Sequence, residues 1–385
     1  MTRHYLDHAS TSRLRPEAAA AIADWLSGPA GDPGRIHHEG MRVRGAVESA
    51  REQVADLLGV RPREVVFTSG ATEACNAAVW GAARAVPGGP VLCAPVEHSA
   101  VRQASERLAP VVDLPVDGLG RVVAGGFAEV LDAALAAADR GEAPRPALVH
   151  CQWANHEVGT VQPVAEVVAR CREAAVPVHV DAAAAAGHLG IGLGTLGADL
   201  VSVSAHKLGG PPGTGALVVR RGVRFDPLLS GGAQERGRRA GMENVPGIVG
   251  FGAAAAALAA SHHEEAGAAR RRTDRLVAEA LAVEGVVQVG DPAERVPHLV
   301  CLAVDGVEAE PVLLGLDQAG VAAHSGSACS SESLEPSPVL AAMGVDADRS
   351  LRLSVGWSTT DADVDAFARA FPRVVAVLRA LGVAG

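Results

Sequence analysis

Between residues 64 and 220 short apolar runs alternate with longer amphipathic segments. EVVF, VLCAP, PVVDL, ALVHC, PVHVD, ADLVSVS and GALVV are rich in β-branched residues and bounded by glycine, proline or polar groups. Their length and composition predict strands. Between them lie ATEACNAAVWGAARA, SAVRQASERLA, FAEVLDAALAAADR and VAEVVARCREAA. The last places Val164, Val167, Val168 and Cys171 on one helical face. Strands apolar on both sides belong to a sheet covered on both faces. The rhythm predicts an α/β fold with a mainly parallel sheet flanked by helices, and such sheets hold ligands beyond the carboxyl ends of their strands. From about residue 255 the pattern changes to one long alanine-rich helix, then short strands such as HLVCLAV and SLRLSV. That predicts a second, smaller α+β domain.

Composition narrows the function. A chain of 385 residues exceeds what one core usually holds. With 48% hydrophobic and 20% charged residues it is globular in type. A net charge of −10, no dense basic run and 3% aromatic residues argue against a nucleic-acid surface. The opening MTRHYLDHASTSRLRPE lacks an apolar signal core. VPGIVGFGAAAAALAA falls short of the roughly 20 residues a membrane span needs. A cytoplasmic protein is expected. The six cysteines are scattered without a CxxC pair, so neither a disulfide framework nor a zinc site is expected. Most read as small buried hydrophobes. Cys329, in the glycine- and serine-rich stretch HSGSACSSESLEPS, does not.

Several strands end in chemically loaded residues. TSGATE opens a helix, where free N–H groups and the Thr72 hydroxyl suit a phosphate; an ordinary turn with a threonine cap is the plainer alternative. Asp181 ends PVHVD and either pairs with a buried cation or caps the alanines that follow. Lys207 follows LVSVS and either snorkels to water or, desolvated, becomes a nucleophile toward an aldehyde. Phosphate, carboxylate and amine together fit pyridoxal 5'-phosphate, whose aldehyde Lys207 would take up. His98 begins the helix after VLCAP and either stacks on the cofactor ring or has no role. Arg352, in SLRLSVG, is either a carboxylate clamp or a surface arginine on an edge strand. Cys329 is either a reactive loop thiol or incidental.

These stretches occur in an order that resembles the cysteine desulfurases, pyridoxal-phosphate enzymes of fold type I in the class V aminotransferase group. YLDHAST, GDPGRIHHEG, VFTSGATEACN, EHSAV, WANHEVGTVQP, HVDA, SAHKLGGPPGTGAL, ERGRRAGMENV, SGSACSSESLEPS and RLSVG follow one another as in that family. The long cysteine loop is similar to that of its first, NifS/IscS-type group. The resemblance implies a large cofactor domain over residues 15–255 and a small domain built from 1–14 and 256–385. It implies that Lys207 carries the cofactor, Asp181 pairs with its ring nitrogen and His98 stacks on the ring. Thr72, Ser204, His206 and the Ala71 backbone would hold the phosphate. Asn155 and Arg352 would face cofactor and substrate. L-cysteine would become L-alanine, with its sulfur taken by Cys329 as a persulfide, and His98 would shuttle the thiol proton. No resident metal is implied, although Cys329 is a candidate transient iron–sulfur ligand. The partners implied are a second copy, in a homodimer, and a protein acceptor serving iron–sulfur assembly or tRNA or cofactor thiolation. Three positions depart from the family pattern: Ala184 stands for glutamine, Met242 for threonine and Asp32 for asparagine. The rival readings are an aminotransferase, a lyase or a selenocysteine lyase of the same fold, or a weak cofactor-binding scaffold.

Overall fold

The computed structural model describes residues 2–27, 31–190, 193–326 and 336–382. The strands expected between 64 and 220 are present: β2 (Val65–Thr68), β3 (Val91–Cys93), β4 (Val111–Asp113), β5 (Leu148–His150), β6 (Val178–Asp181), β7 (Leu200–Ser204) and β8 (Gly215–Val219). A two-residue strand, β1 (His4–Tyr5), precedes them. They form one seven-stranded sheet in the order β2-β8-β7-β6-β5-β3-β4. All neighbours run parallel except β8, which is antiparallel to both β2 and β7. The 205–214 connection is too short for a parallel crossover, which takes a dozen or more residues.

Helices cover both faces: α1 (Pro16–Leu26), α2 (His38–Leu58), α3 (Ala71–Ala85), α4 (Ser99–Leu108), α5 (Ala124–Asp139) and α6 (Val164–Glu173). The strands read as continuous apolar runs because successive side chains enter different cores. Val65 and Phe67 join one cluster and Val66 the other. Val149, Val201 and Val218 likewise oppose Leu148, Leu200 and Leu217.

The long helix α7 (Val245–Leu281) has 37 residues. Val245, Ile248, Phe251 and Leu258 pack in the large core, whereas Ala269, Leu276 and Ala280 pack in a second one. The 255/256 division drawn from the sequence therefore falls inside a helix that changes cores between Leu258 and Ala269. By length and composition α7 would suffice to cross a membrane, beyond what the shorter apolar stretch suggested. Its apolar positions are instead spent on protein contacts, chiefly against α1 and α2. The second core is built on an antiparallel sheet whose strands are β9 (Val286–Val289), β10 (Leu299–Val304), β12 (His324–Ser325) and β13 (Ser350–Ser354), in the order β12-β13-β10-β9. Helices α8 (Ala309–Gln318) and α9 (Asp361–Ala380) cover it. β1 pairs in parallel with β11 (Val321–Ala322), which ties the start of the chain to this second body.

Candidate active site

The carboxyl ends of β2, β6 and β7, with the segments after β3 and β5, surround a cavity of about 570 Å³. Ala71, Thr72, His98, Asp181, Ser204, His206, Lys207 and Arg352 all line it. One set of polar residues scattered over 280 positions is thus gathered by the parallel sheet, as strand ends on this architecture dictate.

At the β2 end Gly70 has φ 154°, a conformation that side chains avoid, and no side chain caps α3. The first N–H groups of that helix are left for a ligand, which disfavours the plain threonine-cap alternative for Thr72. Also on the cavity, the Ser204 hydroxyl is buried and has no protein partner among the described residues. A buried orphan donor and an uncapped helix N-terminus lining one cavity suit an anionic group.

Asp181 sits at the end of β6. Its Oδ1 accepts from the Ala183 N–H at 3.0 Å and from Ser202 Oγ at 3.1 Å. The alanines after it form successive turns rather than a helix, so the capping alternative survives only as that one turn bond. Lys207 is half-buried in a short 3₁₀ turn that follows β7 directly. Its neighbour His206 bonds Thr11 Oγ1 through Nδ1 at 3.2 Å. Burial, then the Lys207 charge, push His206 down to about 4, so it presents a neutral ring. His98 caps α4: its Nδ1 accepts from the Ala100 N–H at 3.0 Å, which leaves the ring proton on Nε2. The His156 ring meets it edge-on at 4.8 Å.

Asn155 does not line the cavity. It is fully buried, and its side chain is committed to backbone. Nδ2 donates to Val96 O at 3.1 Å, and Oδ1 accepts from the Glu157 and Val158 N–H groups at 2.8 and 2.9 Å. The turn it holds sets His156 on the cavity wall. Arg352 is 2% exposed, which rules out the surface alternative. Nη1 donates to His156 O at 3.0 Å, and Nη2 to Asp7 Oδ1 at 3.0 Å and Ser10 Oγ at 2.7 Å. Its Nε is buried without a partner among the described residues.

Sequence reasoning passed over Ser10, Thr11, Gln152 and Glu97. The first three line the cavity, and YLDHAST was the only signal for Ser10 and Thr11, since β1–β11 pairing brings that segment in. Glu97 is 2% exposed, and its Oε1 accepts from the Gln152 N–H at 2.6 Å. Burial, then the Asp181 charge, raise its carboxyl to about 8.

Cys75, Cys93, Cys151, Cys171 and Cys301 are all buried. Burial raises Cys171 and Cys301 to about 12 and the other three well above the usual thiol range. Cys329 lies outside the described residues. The chain enters its segment from β12, where His324 faces Arg352, and leaves at Ser337, whose hydroxyl donates to Glu157 Oε2 at 2.5 Å. Of the departures, Ala184 lines the cavity with a methyl group only. Met242 is 58% exposed and borders a smaller cavity beside Ser69 and Gly213. Asp32 accepts from the Gly34 N–H at 2.7 Å and pairs with Arg35.

Residues 4–367 match the aminotransferase class-V family. The chain belongs to the class-V aminotransferase family. It is 42% identical to a cysteine desulfurase of Trichormus azollae over 98% of this chain and 94% of that protein. It is 38% identical to the cysteine desulfurase IscS of Methanosarcina thermophila over 97% and 92% of the two chains. A solved NifS-like protein superposes with a TM-score of 0.89 at 30% identity, over 98% of this chain and all of the other. Class-V aminotransferases are pyridoxal-phosphate enzymes, and so is this chain. The residues present fit that group: an orphan Ser204 hydroxyl and an uncapped helix start for the phosphate, Asp181 for the ring nitrogen, and Lys207 for the aldehyde.

Proposed function

We propose that the chain is a cysteine desulfurase, converting L-cysteine to L-alanine and taking the sulfur on Cys329. The full-length likeness to cysteine desulfurases carries this reading. The cysteines support it independently. Five of the six are buried thiols held far from ionisation, which leaves Cys329 as the candidate thiolate.

Bound pyridoxal phosphate supplies an aldehyde that condenses with amines and a ring that withdraws electrons. The phosphate is assigned to Thr72, Ser204, His206 and the Ala71 backbone. Asp181 would keep the proton on the ring nitrogen, and His98 would cover the ring face. Asn155 acts from beneath, by holding the 155–158 turn. Arg352 receives the substrate carboxylate, exchanging its bonds to Asp7 and Ser10 for it. The Lys207 amine would hold the proton removed from Cα. His98 would shuttle the thiol proton through Nε2, releasing the proton it already holds there before it takes another. Cys329, as thiolate, attacks the substrate sulfur: an S–S bond forms as the C–S bond breaks, and alanine leaves once its carbon is protonated. The reading extends to a cytoplasmic homodimer that hands sulfur to a protein acceptor for iron–sulfur assembly or thiolation.

Cys329→Ser tests the assignment. A hydroxyl cannot carry a persulfide, so alanine production should fall to near background. Cysteine should still change the absorption spectrum of the variant, because binding relies on Lys207, Asp181 and Arg352. Undiminished alanine turnover would favour a lyase instead.

A further inference from the structure

Two histidines lie inside the sheet with no part in the chemistry above. His150 on β5 and His179 on β6 are both fully buried. They are cross-strand register partners, as are Asp181 on β6 and Ser202 on β7. Four polar side chains on three adjacent strands are thus brought together. His150 Nδ1 lies 2.8 Å from His179 Nδ1, His179 Nε2 lies 3.1 Å from Ser202 Oγ, and Ser202 Oγ donates to Asp181 Oδ1 at 3.1 Å. Apolar residues would fill these positions without the cost of burying polar groups.

The direction of the bonds follows from counting protons. The Ser202 hydroxyl has one hydrogen, and an ionised Asp181 can only accept it. Ser202 must then accept from His179, which places that ring's proton on Nε2. His179 Nδ1 is bare and accepts from His150 Nδ1–H. The line ends at His150 Nε2, which is buried with no partner among the described residues. Run this way, the unpartnered atom is a lone pair. Run the other way, from a protonated Asp181, it is an orphaned N–H, which buried structure tolerates far less. Burial keeps both rings neutral, with His179 pushed down to about 4 and His150 further. The other groups near Asp181 are Cys75 from α3, whose Sγ lies 3.2 Å from Ser202 Oγ, Glu97 beyond β3 and Lys207 beyond β7.

We propose that Ser202, His179 and His150 form a one-way hydrogen-bond relay that donates to the Asp181 carboxylate and aims it at the cofactor ring nitrogen. His179 and Ser202 are positioning residues, which act only through Asp181. The inference rests on the pairing of Asp181 with that ring under the proposed function.

The test compares holoenzymes carrying Ser202→Ala, His179→Leu, both changes, and His179→Gln, whose side-chain amide restores a donor to Ser202. Two quantities are read: the pH midpoint of the visible absorbance, and the affinity of stripped protein for pyridoxal phosphate. With fewer donors, Asp181 draws the shared proton toward itself, and the midpoint should rise by about one pH unit in Ser202→Ala and in His179→Leu. Cofactor affinity should fall about tenfold in each. The double variant should shift no further than Ser202→Ala, and His179→Gln should stay near wild type. Unmoved midpoints in Ser202→Ala, shifts that add, or no rescue by glutamine would overturn the relay. Should His179→Leu not fold, Ser202→Ala and His179→Gln decide the matter. A wild-type protein without a cofactor chromophore would instead overturn the proposed function itself.

Discussion

Lys207 was the most legible residue, because a lysine directly after an apolar strand has few places to go. The turn after β7 keeps it half-buried on the cavity wall. Lys207→Ala should abolish covalent attachment while leaving the proposed phosphate corner of Thr72 and Ser204 intact. Borohydride treatment followed by mass measurement checks this: wild type should retain the added cofactor mass and the variant should not. Covalent cofactor on the variant would place the attachment elsewhere. Asp181 was legible for the same reason, as a strand-end group, and His98 as the residue that opens a helix. Arg352 and Asn155 were not. The sequence could not tell an edge arginine from one 2% exposed, nor a cavity amide from one spent on the backbone of Val96, Glu157 and Val158. Both outcomes depend on contacts made by chain segments far away.

At the level of elements, one tie joins α2, β2 and the 234–237 turn. Arg51 on α2 donates to Glu235 Oε2 at 2.7 Å and Oε1 at 2.8 Å, and to Val65 O at 2.9 Å. Glu235 Oε2 also accepts from the Phe67 N–H at 2.9 Å. Both side chains are nearly inaccessible, at 3% and 2%. Breaking such a pair strands a buried charge and costs about 3–5 kcal/mol. Glu235→Ala should therefore lower stability in urea by roughly that amount. The pair of changes Arg51→Met and Glu235→Leu should lose less than Glu235→Ala does. A loss below about 1 kcal/mol for Glu235→Ala would be the signature of an exposed pair instead. The 71–85 helix and its strand were readable from local periodicity. This tie was not, because its ends lie 184 residues apart.

Over the whole molecule, buried histidines set the response to acid. His8, His150, His179 and His298 are at most 3% exposed. Burial takes His8 and His179 down to about 4 and the other two well below the ordinary value. The unfolded chain therefore binds protons on these rings below about pH 6.5 that the folded one refuses, and stability is lost as pH falls. Each ring forfeits about 2 kcal/mol by pH 5. Glu97, raised to about 8, works in the opposite sense. Its folded form holds a proton above the unfolded pKa, so its contribution is present at low pH and lost as pH rises. Four groups outweigh one, and the urea midpoint should drop between pH 7 and pH 5. A flat or rising midpoint would show that these rings are not neutral in the fold.

The sequence by itself determined the α/β alternation, the strand ends that carry Lys207 and Asp181, the helix start at His98, and the anomalous setting of Cys329. Each is a local property, set by side-chain period and by neighbours within a few residues. Only the tertiary structure decided that YLDHAST closes the cavity through β1–β11 pairing, that α7 serves two cores, and that Arg352 is buried against Asp7 and Ser10. It alone aligned His150, His179 and Ser202 behind Asp181, because that line depends on the register of three strands separated along the chain. Register and long-range packing are set by the burial of whole faces at once, which no short window of sequence contains.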